Sequence, residues 1–201
     1  STTSCVGFFG YIDSDGKISN VGVVDSYFYG NNYVGVVCGY KFGTISNCYS
    51  AGAVSGNSYV GGVCGYNNSA SISNCYSAGS VSGSSSFVGG VCGYSDNGNI
   101  SNCYSAGAVI GSSYVGGVCG NHFKGETSNC YSVGSVRGGE NVGGVCGYNE
   151  FSTISNCYFD SEECDKDAIG TRNGGIATNV EGKTTAQFVS GEVCYLLNRS
   201  K

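Results

Sequence analysis

The sequence predicts an all-β protein, a β-solenoid of about six coils of 26–28 residues with a C-terminal cap containing a short helix. The first observation behind this is self-similarity. YVGGVCGYNNSASISNCYSAGSVSG begins at Tyr59, FVGGVCGYSDNGNISNCYSAGAVIG at Phe87 and YVGGVCGNHFKGETSNCYSVGSVRG at Tyr114. A period near 27 that keeps phase through the chain is the mark of a stacked repeat. The second is local pattern. No copy carries apolar residues at helical spacing, whereas runs of Val, Ile, Tyr, Cys and Ser broken by Gly and Asn read as short strands and turns. The third is composition: 36 glycines and only 11% charged residues leave little for amphipathic helices.

The elements follow in order. A divergent first copy runs VGFFGYIDSDGKISNVGVVDS from Val6, the second starts at Tyr33, and a last one starts at Asn141 with NVGGVCGYNEFSTISNCYFD. Residues 1–159 form the solenoid. Each coil should hold a strand at YVGGVCGY, a turn, a strand at SISNCYS and a short third strand at GSVSG. One coil cannot bury its apolar residues alone, so its neighbours supply the partners. With stacked strands ~4.8 Å apart, six coils make a rod roughly 30 Å long. Residues 160–201 read as a cap rather than a seventh coil. TTAQFVSGEVCYLLN forms a short amphipathic helix whose Phe188, Val193 and Leu196 or Leu197 cover the last coil.

These residues carry a family resemblance. Gly7-Phe8-Phe9-Gly10, Gly62-Val63-Cys64-Gly65, Gly90-Val91-Cys92-Gly93, Gly117-Val118-Cys119-Gly120 and Gly144-Val145-Cys146-Gly147 resemble the GLUG motif. The second copy departs from it, with Val36 in place of the first glycine. The flanking ISNCYS-x-G-x-V and the tail from Thr184 are also similar to that family. The resemblance implies a bacterial cell-surface, adhesin-like protein, hence an extracellular, secreted location, and it implies a β-solenoid.

Stacking turns each repeat position into a column. Asn20, Asn47, Asn74, Asn102, Asn129 and Asn156 read as an amide ladder, since an amide both donates and accepts. Aromatic columns run through Tyr49, Tyr76, Tyr104, Tyr131 and Tyr158 and through Tyr33, Tyr59, Phe87 and Tyr114, which suits packing. A further column, Tyr40, Tyr66, Tyr94 and Tyr148, lapsing at Asn121, is either packing or an exposed row that binds a glycan or protein ligand.

Thirteen cysteines point to an oxidising compartment, and no C-x-x-C pair argues for metal. The two sites in each copy are either buried thiols or one disulfide per coil. The first copy has Phe9 and Val21 at these sites, and a bonded pair is lost together. The expectation is therefore Cys38–Cys48, Cys64–Cys75, Cys92–Cys103, Cys119–Cys130 and Cys146–Cys157, each adding roughly 2–3 kcal/mol by closing a loop. Cys164–Cys194 would staple the cap, leaving Cys5 for intermolecular pairing.

A net charge of −5 offers no basic face for nucleic acid, and no apolar run is long enough to insert in a membrane. From Phe42 to Phe123 the only charged side chain is Asp96, so association is not opposed by repulsion. The acids of DSEECDKD, Asp160 to Asp167, lack the glycine-centred loop of an EF-hand and read as a solvated loop. Catalysis needs converging acids, bases or a nucleophile, and the repeats are nearly free of them. His122, the single histidine, reads as a surface residue in a turn. The chain is expected to be no enzyme and to use neither cofactor nor metal. A polysaccharide-active β-helix enzyme is the distant alternative. The chain opens at Ser1 without an initiator methionine, as a processed form or excised piece would. Two readings remain: a rigid structural rod that self-associates head-to-tail or continues into neighbouring domains of a longer surface protein, and an adhesin segment with exposed Tyr, Ser and Asn rows.

Overall fold

The computed structural model describes residues 3–198, so the outermost residues of both expected segments, 1–2 and 199–201, lie outside the described residues. The chain winds as a parallel β-solenoid. In the third rung the strands are Ser58–Gly61, Cys64–Asn68, Ser71–Ser73, Tyr76–Ser77 and Val81–Gly83. Where three strands were expected there are five. Gly62 and Val63 interrupt the first expected strand. The second is broken at Asn74, whose φ of 53° lies in the left-handed region.

Each strand pairs in parallel with its counterparts one rung away. Cys64 stands opposite Cys38 and Cys92, Ile72 opposite Ile45 and Ile100, Tyr76 opposite Tyr49 and Tyr104, and Val81 opposite Val54 and Val109. The strands at Asn32–Gly35, Ser58–Gly61, Ser86–Gly89, Ser113–Gly116 and Glu140–Gly143 make one five-stranded sheet. A second five-stranded sheet contains Val81–Gly83, and a larger sheet takes most of the rest. Identical apolar side chains stack inside: Val34, Val60, Val88 and Val115 form one buried column and Val63, Val91, Val118 and Val145 another. Neighbouring rungs thus supply the apolar partners that a single coil lacks.

The C-terminal segment corrects the expectation of a pure cap. Ile169–Asn173 and Ile176–Lys183 continue the parallel stack on Cys146–Asp160, with Ile169 opposite Cys146, Ala177 opposite Ile154 and Val180 opposite Cys157. They form a partial seventh rung. It keeps apolar residues at the core positions, and of the repeat's letters it retains little beyond Gly170 opposite Gly147 and Asn179 opposite Asn156. Two helices follow, α1 (Thr185–Val189) and α2 (Glu192–Asn198). Thr184 caps α1 through the backbone N–H of Gln187, and the Gln187 side chain accepts from the Thr184 N–H in return. The helices do not cover the last rung as expected. Phe188 lies against Tyr131 on the flank, with ring centroids 5.9 Å apart, while Ile176 on the last rung is 61% exposed.

Candidate functional surfaces

The motif glycines are the natural first candidates for a binding loop, and their surroundings show packing instead. A Cβ on Gly65 would lie 2.5 Å from the backbone nitrogen of Val34 and 2.6 Å from the Gly39 carbonyl. One on Gly62 would meet the Ser77 hydroxyl and the Gly90 carbonyl, 2.1 and 2.3 Å away. The missing side chains let one stretch of chain lie directly on another. The motif is a structural joint, turned inward.

The cysteines stand in two columns, Cys38, Cys64, Cys92, Cys119 and Cys146, and Cys48, Cys75, Cys103, Cys130 and Cys157, all buried. All thirteen cysteines are free thiols, so the within-coil disulfides expected from the sequence are not formed. Parallel register places like on like, so the sulfur neighbours of each thiol belong to its own column in the adjacent rungs. Each thiol also donates to a carbonyl two residues away, as Cys64 does to Tyr66 at 3.3 Å and Cys75 to Ser73 at 3.1 Å. The joint loss in the first rung has a simpler source. Phe9 stands opposite Cys38, and Val21 packs against the core, so both sites are apolar positions. Cys164 is buried and Cys194 exposed on α2, so the expected cap staple is absent too. Cys5, half-buried, precedes the Val6–Val34 bridge and so falls in the aromatic column of Tyr33.

Burial also pushes the thiols of Cys92, Cys103, Cys119 and Cys130 well above the ordinary range, and a thiol without thiolate is unreactive. Native protein treated with a maleimide should therefore be modified at Cys194 quickly and at Cys5 slowly. The other cysteines should react only after unfolding, with no reductant needed. Mass spectrometry of the two samples checks this, and cysteines that stay unmodified in denaturant until reduced would contradict it.

The aromatic columns interlock. Tyr40, Tyr66 and Tyr94 stack with centroids 4.8 and 5.1 Å apart and planes within 8°. Tyr33, Tyr59 and Phe87 stack beside them at 4.8 Å, and the two columns meet edge to face, as Phe87 does with Tyr94 at 5.3 Å. A sugar ring stacks on an aromatic face, and along Tyr40, Tyr66 and Tyr94 each interior face is occupied by the next tyrosine. What the row offers solvent is edges and hydroxyls, with Tyr66 Oη donating to Asp96 at 3.2 Å and Tyr40 Oη accepting from Asn68 at 3.2 Å. Tyr148 is half-buried and meets Tyr114 edge to face at 5.5 Å. At the lapse, Asn121 is buried.

The asparagine column has a different reason from the expected amide ladder. Asn20, Asn47, Asn74, Asn102, Asn129 and Asn156 have φ of 58°, 52°, 53°, 52°, 54° and 50°. Asparagine tolerates this left-handed conformation better than any non-glycine residue but aspartate, and the corner of every rung demands it. One hydrogen bond between side-chain amides does run up the rod, with Asn179 Nδ2 donating to Asn156 Oδ1 at 3.0 Å.

A third column is polar and was not foreseen. Lys41, Asn67, Ser95, His122 and Asn149 stack in register, and all are fully buried. Lys41 Nζ donates to the carbonyls of Gly43 at 2.8 Å and Ser71 at 3.1 Å, and burial lowers its pKa. His122, expected at the surface, is held inside by both nitrogens. Nε2 lies 2.9 Å from the Gly98 carbonyl and Nδ1 2.7 Å from Thr127 Oγ1. A carbonyl only accepts, so Nε2 carries the proton and Nδ1 accepts from the threonine. Burial drives the imidazole pKa down to about 4. The signal available in the sequence was Thr127, which replaces the isoleucine of Ile45, Ile72, Ile100 and Ile154.

The acidic run is structural as well. Asp160 is buried, accepting from Thr185 Oγ1 at 2.7 Å, and Glu162 accepts from the Thr185 N–H at 2.8 Å, so both tie down the start of α1. The hydrogen bonds from Thr185 hold the Glu162 carboxyl below its usual pKa. Among the described residues, no three His, Cys, Asp or Glu side chains converge as a metal site would require.

Comparison with known proteins agrees with this architecture. Residues 56–82, 84–110 and 138–162 match the GLUG motif. The structure of a "putative immunoglobulin A1 protease" from Bacteroides ovatus shares the fold, with a TM-score of 0.71 and 25% identity over 92% of this chain. This chain spans 64% of that chain's length. No curated protein matches the sequence. Three stretches of the chain thus carry the GLUG motif, within a parallel β-solenoid.

Proposed function

We propose that this chain is a non-enzymatic, extracellular structural element, a rigid rod that associates end to end with another copy of itself. The observation that carries this is the first rung. Its strands Phe9–Ile12 and Lys17–Ser19 pair on one side only among the described residues, and Phe8, Tyr11, Tyr27 and Tyr29 around it are each more than half exposed. An open parallel edge with apolar side chains is a template for another strand, and the partial seventh rung presents a second parallel edge at the other end. Such a head-to-tail contact repeats into filaments unless its rotation closes a ring.

A non-enzymatic role is supported by what the candidate catalytic groups are doing. His122 is buried with both nitrogens engaged, Lys41 is bonded to two carbonyls, and Asp160 and Glu162 anchor α1. A protease activity such as the Bacteroides ovatus protein's name suggests would have to come from elsewhere in a longer chain. The adhesin alternative loses its stacking platform along Tyr40, Tyr66 and Tyr94, whose interior faces are covered.

Light scattering and negative-stain microscopy test the assembly. Wild type should form linear oligomers that lengthen with concentration, and Tyr11→Glu combined with Tyr27→Glu should abolish them. A monomer at the highest attainable concentration would overturn the proposal, leaving upstream chain of a longer surface protein as the occupant of that edge.

A further inference from the structure

The helix pair leaves a space beneath it. Its start is fixed by polar ties: the Thr184 capping box, the Thr185 bonds to Asp160 and Glu162, and Lys183 Nζ 3.6 Å from Glu192. On α1 and α2, Val193 is the one fully buried side chain among the described residues. Between helices and rod lies a cavity of about 500 Å³. That volume falls in the ~300–1,000 Å³ range of small-molecule sites.

From its lining we infer that this cavity binds a small, uncharged compound of one or two rings carrying a hydroxyl or carbonyl group. Tyr131, Val133, Phe188, Val193 and Leu197 supply an apolar wall, and no charged residue contributes. An ion entering would give up its hydration with no counter-charge to replace it, so the occupant is neutral. The ring preference comes from Tyr131 and Phe188. One face of Tyr131 is covered by Tyr104 at 4.9 Å and parallel, whereas Phe188 meets Tyr131 at 5.9 Å and a 45° tilt. The two rings touch and form an angled aromatic wall, against which a flat ring packs with better contact than a flexible chain. Asn102 and Asn198 reach the cavity from rod and helix, and their amides supply hydrogen bonds for one polar substituent. The site lies on the flank, apart from the rod end that carries the proposed assembly, and does not rest on it.

The test uses the full chain and 6-propionyl-2-(dimethylamino)naphthalene, a neutral two-ring dye with a carbonyl group whose emission rises and shifts to the blue out of water. Saturable binding of one dye per chain is expected, with displacement by 2-naphthol. The anionic 2-naphthol-6-sulfonate should displace the dye only at roughly ten-fold or more higher concentration than 2-naphthol. Cys194 lines the cavity yet is exposed, so Cys194→Trp fills the space without disturbing the core and should remove dye binding, while Cys194→Ala keeps it. In wild type, bound dye should slow maleimide modification of Cys194 in proportion to occupancy. Non-saturable binding, equal affinity for the anionic competitor, or unprotected Cys194 at saturating dye would each overturn the inference.

Discussion

Between pH 7 and pH 4 the protein should lose about 3 kcal/mol of stability through His122 alone. The unfolded chain takes up a proton at the ordinary value of 6.5, but the folded chain does so only at about 4. Between these values the unfolded state binds more protons, so stability falls as pH falls. The contribution is complete above pH 6.5, declines below it and levels off beneath pH 4. A separation of this size corresponds to about 3 kcal/mol. The cause is burial: the ring is fully enclosed, and its hydrogen bonds suit the neutral form with Nε2 protonated. Asparagine occupies the same column position in the third and sixth rungs, at Asn67 and Asn149, and isoleucine stands opposite Thr127 in both adjacent rungs. The double variant His122→Asn, Thr127→Ile should therefore fold and lose this part of the pH dependence. Urea unfolding of both proteins at pH 7, 6, 5 and 4 measures it. Parallel curves for variant and wild type would show that the histidine is not the source.

The rod was legible in the sequence because a solenoid repeats its residues wherever it repeats its environment. Asn47, Asn74 and Asn102 recur because one backbone corner recurs, and Val60, Val88 and Val115 because one interior position does. Recurrence identifies a column but not its chemistry. Paired cysteines are conspicuous as letters, yet a buried thiol and a half-cystine are the same letter, and only the parallel register shows each sulfur beside its own column. Positions that vary were harder still. Lys41, Asn67, Ser95 and His122 share one buried site through four different side chains, each finding a carbonyl or a neighbouring side chain inside, so no pattern marked them as a column. The partial seventh rung was hidden for the converse reason. Ile169, Ala177 and Val180 meet the packing requirement without the motif, and a search for repeated words passes over them.

Gly89→Ala should be the most damaging single methyl group that can be added to this chain. Gly89 ends the strand Ser86–Gly89, at the corner before Cys92–Asp96. A Cβ there would sit 2.0 Å from the Cys92 carbonyl oxygen and 2.7 Å from the Gly120 nitrogen in the next rung. Both obstacles are backbone, so no rotamer change relieves them. Moving the Cys92 carbonyl would disturb the fourth rung, and moving Gly120 would disturb the fifth. Gly61 and Gly116, directly opposite Gly89, stand in the same relation to the carbonyls of Cys64 and Cys119, each at 2.0 Å, so the stack has no slack on either side. Repeat stability is a sum over rungs and their interfaces, and a fault in the middle breaks two interfaces at once. The expected loss is above ~4 kcal/mol, in the range reserved for severe core damage. Gly191, between the helices with φ of 84° and nothing within 4 Å of a Cβ, supplies the control: Gly191→Asn adds a side chain that tolerates the conformation and should cost less than ~1 kcal/mol. Thermal unfolding followed by circular dichroism distinguishes them. A Gly89→Ala protein that melts within a few degrees of wild type would show that the corner can open, and that the glycines there are not held by close packing.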